Sequence, residues 1–384
     1  MSTIAKSIRR VITPILSIII SVQGCVMIFG SQCIIKLLYR NNPNKRQRYI
    51  DHTETAFVSL IMSILTIFAP SSVRITTEKD SIPSGSIIKD PKKRRIISKL
   101  LPNSVMIANH QIYTDWIFLW WLCYTSDLAG NVVIMLKESL SKIPVIGGGM
   151  KNYNFIFLKR HWENDKVTMN KYLNNMNENS FGTGPIAKEV IKHKECKDQE
   201  VIRWPYCLLL FPEGTNLSKN TRSKSDRYAK KIDRKGFECC LLPHATGLYY
   251  SLESLKPSLD VVYDVTIGYS GVKKHEYGEL IYTMKNIFLE GKPPKLVDIH
   301  IRAFKLNEIP LDSIEEFTEW LFKVWQEKDQ RLIKYYETGH FGSDPSLSDQ
   351  IIDDFKINSS EVAMVMMLPI CGIIITYLFY KLLF

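Results

Sequence analysis

The sequence predicts an α/β fold: a mixed sheet covered by helices, framed by helices that enter or cross a membrane. Three observations carry this. Short β-rich runs alternate with helical stretches through the middle of the chain. Two long uncharged runs occupy its first part, and residues 362–384 are apolar on every face, with Lys381 the sole charge.

From the N-terminus, residues 11–38 hold no charge before Lys36 and are long enough to enter or span a bilayer. This run is too long for the apolar core of a cleaved signal peptide. Residues 55–70 form a second uncharged run ending at Pro70. As a helix it reaches about 24 Å, short of the roughly 30 Å hydrocarbon core. Basic clusters lie before, between and after the two runs: Lys6, Arg9 and Arg10, then Lys36 to Arg48, then Lys92 to Arg95. A shallow re-entrant pair keeps all three on one face, where anionic lipid attracts them. Residues 1–70 are therefore read as an N-terminal membrane-embedded helical segment.

Residues 71–341 form the α/β domain. Strands are expected at Ser104–Ala108, Asn131–Leu136, Asn154–Leu158, Tyr206–Phe211, Val261–Tyr269 and Asp298–Phe304. Helices are expected near 111–124, 138–150, 166–177 and 223–235. A last helix starts at a capping box, Ser313 to Glu316, shows Ile314, Phe317, Leu321 and Val324 on one face, and stops near Gly339. A polar stretch, 342–361, reads as a linker to a transmembrane helix at 362–384, with Pro369 as a kink point.

Composition narrows the function classes. With 45% apolar and 23% charged residues the chain is globular rather than disordered. The net charge of +11 suits nucleic acid, anionic lipid or phosphorylated ligands. No nucleic-acid motif accompanies the charge, which flanks the apolar runs, so lipid is favoured over nucleic acid. The eight cysteines, Cys196 among them, are scattered without metal spacing and read as reduced thiols. No zinc motif appears among the histidines, so no metal site is expected.

Two motifs carry chemistry. Asn109-His110-Gln111-Ile112-Tyr113-Thr114-Asp115-Trp116 follows an apolar strand and opens an apolar helix. Such a junction gathers side chains and free N–H groups in one crevice. A histidine there serves as general base, and a carboxylate on its other ring nitrogen fixes the tautomer. Alone, His110 reads as structural before it reads as catalytic. In the second motif, Leu208-Leu209-Leu210-Phe211-Pro212-Glu213-Gly214-Thr215, a strand ends at Pro212 and delivers Glu213, Gly214 and Thr215 onto a loop. An ordinary strand-ending turn explains that segment equally well.

Together the motifs resemble the glycerophospholipid acyltransferase family, which includes 1-acylglycerol-3-phosphate acyltransferases. Lys137 to Met150 is similar to the segment between its first two motifs, and Phe155 to Trp162 to its second, with Arg160 at the arginine position. The run from Phe211 to Lys231, then LLPHATGL and VVYDVTIGY, looks like the branch acylating lysophosphatidylinositol or lysocardiolipin. The likeness covers about residues 55–340. It implies a glycerolipid-acyltransferase-like sheet and transfer of a fatty acyl group from acyl-CoA to a lysophospholipid hydroxyl, with acyl-CoA as co-substrate and no other cofactor.

By position, His110 would be the general base, oriented by Asp115. Glu213, Gly214 and Thr215 would bind the acceptor's glycerol region, and Arg160 and Lys137 its phosphate. The alternatives are phosphatidic acid synthesis, CoA-independent transacylation, and a catalytically silent lipid-binding protein on the same fold. The chain departs from the family at Gly148, where relatives often carry tryptophan. At His244 and Ala245 the related branch often has arginine and threonine, while Pro243 and Gly247 are kept. Cytosolic acyl-CoA, reduced thiols and membrane helices imply an endoplasmic reticulum membrane with the catalytic domain facing the cytosol. The glycosylation sequon Asn216-Leu217-Ser218 would then stay unmodified.

Overall fold

The computed structural model describes residues 3–181, 204–342 and 344–383, with side chains from residue 12 onward. Cys196 and the side chains of Lys6, Arg9 and Arg10 lie outside the described residues. Helix α1 (Thr3–Leu38) turns at Tyr39–Asn42 into α2 (Pro43–Phe68). Asn42 caps α2 by accepting the Lys45 N–H at 2.9 Å, and Pro43 fits the first helical turn, where no N–H is needed. Those signals begin α2 well before the apolar run at 55. Its 26 residues reach about 39 Å, more than the uncharged run alone allows. Ile12–Leu38, Pro43–Phe68 and the C-terminal helix are each long and apolar enough to cross a membrane, by length and composition.

The helices meet through satisfied polar groups. Gln32, fully buried on α1, donates to Thr53 Oγ1 (3.0 Å) and accepts from Asn152 Nδ2 (2.7 Å). A buried amide with both ends engaged fixes helix register without a desolvation penalty.

The remaining elements are β1 (Ser72–Glu78), the hairpin β2 (Ile87–Asp90) and β3 (Arg95–Ser98), β4 (Ser104–Ala108), α3 (Asp115–Thr125), β5 (Val132–Lys137), α4 (Ile146–Asn152), β6 (Ile156–Leu158) and α5 (Trp162–Ser180). They continue with β7 (Cys207–Leu210), α6 (Lys219–Lys231), α7 (Ala245–Leu255), β8 (Val261–Tyr269), α8 (Gly278–Ile281), β9 (Leu296–Phe304), α9 (Ile314–Thr338), β10 (Ser348–Asp354) and α10 (Ser359–Leu383). Eight strands form one sheet in the order β10-β1-β9-β8-β4-β7-β5-β6. From β8 to β6 the strands are parallel, so the ends of β4, β5, β6, β7 and β8 share one edge.

Pleating splits the buried strands between two cores. Met106, Ala108 and Leu209 face α2 and α3, whereas Val105, Ile107, Leu208 and Leu210 face α5, α7 and α9. Continuous apolar runs such as CLLL therefore mark strands buried on both faces.

The expected linker is corrected. Residues 348–354 form β10, antiparallel to β1 with Ser72 opposite Asp354. The strand is polar because it is an edge strand with one face in solvent, and such a pattern reads as loop in sequence. Its partner β1 was likewise not foreseen. Gly148 also finds its reason: a Cβ there would meet Phe29 Cε2 of α1 at 2.6 Å. The aromatic ring comes from α1, and α4 must leave room for it.

Candidate active site

The parallel edge assembles the site. β4 ends at Ala108 and delivers Asn109 and His110; β7, paired with β4, delivers the Phe211–Thr215 turn; β5 ends at Lys137; β6 runs into Arg160. Chain crossings on either side of β4 open a crevice at this edge, the usual ligand position in such sheets. Asn109 locks the junction to β8: its Nδ2 donates to the Ile267 carbonyl (3.0 Å), and its Oδ1 accepts the Ile267 N–H (2.8 Å).

His110 and Asp115 meet, with Nδ1 2.7 Å from Oδ2. Asp115 is fully buried, and its Oδ2 also accepts the backbone N–H groups of Gln111 (2.6 Å) and Ile112 (3.1 Å). Its Oδ1 accepts the Tyr269 hydroxyl. Burial, and then the adjacent Asp115 charge, push the Tyr269 phenol well above its ordinary range, so it remains a proton donor. A carboxylate holding this many donors places the imidazole proton on Nδ1. Among the described residues nothing bonds Nε2, and the ring is stacked on Phe211 with centroids 4.4 Å apart. A positioned Nε2 with an open lone pair at the rim of a crevice suits proton abstraction from a hydroxyl.

Gly214 makes the motif's turn at φ +70, a conformation that costs other residues strain, and its N–H bonds the Phe211 carbonyl (2.9 Å). Arg160 Nη2 donates to the Gly214 carbonyl at 2.9 Å, so the Phe155–Trp162 segment and the Phe211–Thr215 turn are joined. His244 borders the same turn, with its ring carbon 3.4 Å from where a Gly214 Cβ would stand. Desolvation, and then the Arg160 charge, hold its imidazole below the ordinary value. Lys137 is exposed at the end of β5, in register with Leu158 two residues before Arg160. Thr215 lies half-buried beside the turn.

Glu213 points elsewhere. It is 2% exposed, and its Oε1 accepts the Trp325 indole N–H at 3.3 Å. The motif thus offers the crevice Gly214 and Thr215, while Glu213 anchors the turn to α9. Burial pushes its carboxyl up to about 8, against the opposing pull of the Leu241 amide, Trp325 and Lys328. A folded-state pKa raised above the unfolded value of 4.5 gives stability that is full below 4.5 and lost as pH climbs through about 8. Glu213→Gln should therefore remove a decline on the order of 3 kcal/mol between pH 5 and 8. Thermal unfolding at several pH values reads it; an unchanged slope would return Glu213 to an ionised role.

An apolar cavity of about 690 Å³ is lined by Trp116 and Ile117 of α3, Leu136 of β5, Phe57 and Ile61 of α2, and Val22 of α1. Trp116 directly follows Asp115 in sequence, so the cavity begins one residue along α3 from the dyad's carboxylate. Sequence reasoning missed Tyr269, Trp325 and Phe211 as partners of the motifs. Tyr269 closes a nine-residue buried strand beside β4, and that placement was its one available signal. Among the described residues no cluster of three or more His, Cys, Asp or Glu is placed to hold a metal, and all seven cysteines are free.

A His–Asp dyad with a buried carboxylate and a partly exposed imidazole, at the edge of a helix-covered sheet, is an arrangement that suits acyl transfer to a hydroxyl. The chain belongs to the acyltransferase family: the Acyltransferase model matches residues 88–270, and the Acyltransferase C-terminus model matches residues 287–368. The chain is 52% identical to a 2-acyl-1-lysophosphatidylinositol acyltransferase of Saccharomyces cerevisiae, over 99% of this chain and 98% of the relative. It is 28% identical to lysocardiolipin acyltransferase 1 of Danio rerio, over 83% of this chain and 69% of that one. With lysophosphatidylinositol acyltransferase 10 of Caenorhabditis elegans it shares 28% over 61% and 53%. The protein is an acyltransferase enzyme, and its three long apolar helices suggest a membrane protein.

Proposed function

We propose that this acyltransferase moves a fatty acyl group from acyl-CoA to the free hydroxyl of a lysophospholipid, with lysophosphatidylinositol or a related anionic lysolipid as acceptor. The observation that carries the reading is the His110–Asp115 pair at the parallel edge of the sheet, with an apolar cavity that begins at Trp116, the residue after Asp115. Nε2 takes the acceptor's hydroxyl proton as the oxygen attacks the thioester carbonyl. Collapse of the tetrahedral adduct breaks the C–S bond, and the imidazolium returns the proton to the CoA thiolate. The acyl chain lies in the cavity between α1, α2 and α3. The acceptor's phosphate meets Arg160, with Lys137 and His244 nearby. Likeness to the yeast lysophosphatidylinositol enzyme along nearly the whole chain supports the acceptor class. A cytosolic supply of acyl-CoA supports work at the cytosolic face of an endoplasmic reticulum membrane.

Membranes containing the protein should transfer radiolabelled acyl groups from acyl-CoA to lysophosphatidylinositol in preference to lysophosphatidate. Equal transfer without acyl-CoA would replace this reaction by transacylation. Arg160→Ala should raise the apparent KM for the acceptor about tenfold, as loss of one charge-assisted contact does. An effect confined to the donor would remove Arg160 from the acceptor's phosphate.

A further inference from the structure

Leu217 leads from the dyad to a second cavity. Its N–H bonds the His110 carbonyl at 2.8 Å, and it lines a depression of about 770 Å³ between α6 and the loop before α8. The walls carry Arg222, Lys230, Arg234, Lys235, Lys274 and His275 against Asp226, Glu238 and Glu276. Pairing does not cancel this excess. Lys274 pairs with Glu238 at 2.9 Å, and Arg234 pairs with Glu319. Glu276 is turned to the backbone N–H of Lys273 (3.0 Å). Arg222 donates both terminal nitrogens to the Phe237 and Glu238 carbonyls, and its charge faces Asp329, which accepts the N–H groups of the same segment. Among the described residues neither Lys230 nor Lys235 forms a close ion pair, Lys235 acting on Glu238 only from a distance, and both are exposed.

Such a concentration of cations costs self-repulsion and is relieved by a polyanion. Position selects which one. Arg160 and Lys137 lie beyond β7, at the ends of β6 and β5, and one phosphate is enough to satisfy them. The second cavity opens on the α6 side of His110, where Gly278, following its wall residue Tyr277, packs against Ile112. An acyl thioester of coenzyme A has an apolar tail, a reacting carbonyl and a head bearing a diphosphate and a 3′-phosphate. The apolar cavity begins at Trp116, next to Asp115, and the basic cavity at Leu217, bonded to the His110 carbonyl, so the dyad stands between their two nearest residues.

We propose that this basic cavity holds the nucleotide phosphates of the acyl-CoA donor, with Lys230, Lys235 and Arg222 as the contacting cations; this rests on the acyl-CoA reading above. The test uses the full chain in detergent with K230Q/K235Q, a pair of surface changes. Two readouts are taken: transfer from acyl-CoA to lysophosphatidylinositol, and direct binding of CoA and of 3′-dephospho-CoA. The expected result is a rise of about tenfold in the donor's KM and in the Kd for CoA. The acceptor's KM and the affinity for 3′-dephospho-CoA should move far less. If the unmodified chain binds CoA no better than 3′-dephospho-CoA, or the variant's donor KM is unchanged, the proposal falls. A rise in the acceptor's KM alone would overturn it in favour of a lipid headgroup. If the unmodified chain binds CoA in the expected way yet transfers nothing from acyl-CoA, the donor reading fails and the cavity assignment stands.

Discussion

Replacing His110 by alanine is expected to lower kcat/KM for acyl transfer by about a thousandfold or more, while the protein accumulates in membranes as before. The ring is partly exposed, and its backbone contact to Leu217 survives the change, so folding has little to lose. Asp115→Asn should cost activity on a similar scale for another reason. The Asp115 carboxylate accepts from His110, two backbone N–H groups and Tyr269. An amide in its place has one accepting oxygen and presents a donor where an acceptor was, which disfavours the Nδ1–H tautomer. That variant should also lose stability, because two N–H groups at the start of α3 go unmatched. Tyr269→Phe removes a single donor and should cost about tenfold, with a shifted pH profile. Measured transfer across the three variants checks the order. Full activity in His110→Ala would sink the mechanism.

This graded dependence shows what sequence does and does not carry. His110 and Asp115 stand within one turn, so their contact depends on local geometry that a strand-to-helix junction dictates. Tyr269 lies 154 residues from Asp115, and only the pairing of β4 with β8 brings it in. The strands legible in the sequence were those with an apolar run on both faces, such as Ser104–Ala108 and Val261–Tyr269. β10 was illegible because it reads SDQIIDD, a pattern that only an edge position explains. The helix at Ile314–Thr338 was legible because its ends carry their own chemistry: Ser313 accepts the Glu316 N–H, and Gly339 sits at φ +77. Glu213 shows the opposite case. Its motif marked the turn correctly, but burial against Trp325 decided where its side chain points, and no spacing encodes that.

Lys328→Ala should be the most destabilising single change outside the dyad, by about 3–5 kcal/mol, with thermal unfolding lowered by about 5–15 °C. Lys328 and Asp264 are both fully buried, Nζ 2.6 Å from Oδ1. The ammonium also donates to the Val265 carbonyl (2.5 Å) and to Thr266 Oγ1 (3.3 Å). Arg302 Nε holds the other oxygen of Asp264 at 2.8 Å. Flanked by these cations, Asp264 titrates at about 2. A folded-state pKa depressed below the unfolded value of 3.8 gives stability that is present above 3.8 and lost as pH falls through about 2. Removing Lys328 strands much of a buried charge and opens a void beside α9. The same helix carries Trp325, which holds Glu213, and Asp329, which accepts the N–H groups of Glu238, Cys239 and Cys240. Loosening α9 should therefore reach the Gly214 turn and lower activity together with stability. A Lys328→Met, Asp264→Asn pair separates charge from shape. It should recover part of the loss that Lys328→Met suffers alone, because the uncompensated carboxylate is gone. If the two changes add without coupling, the ion pair is not what secures α9 to β8.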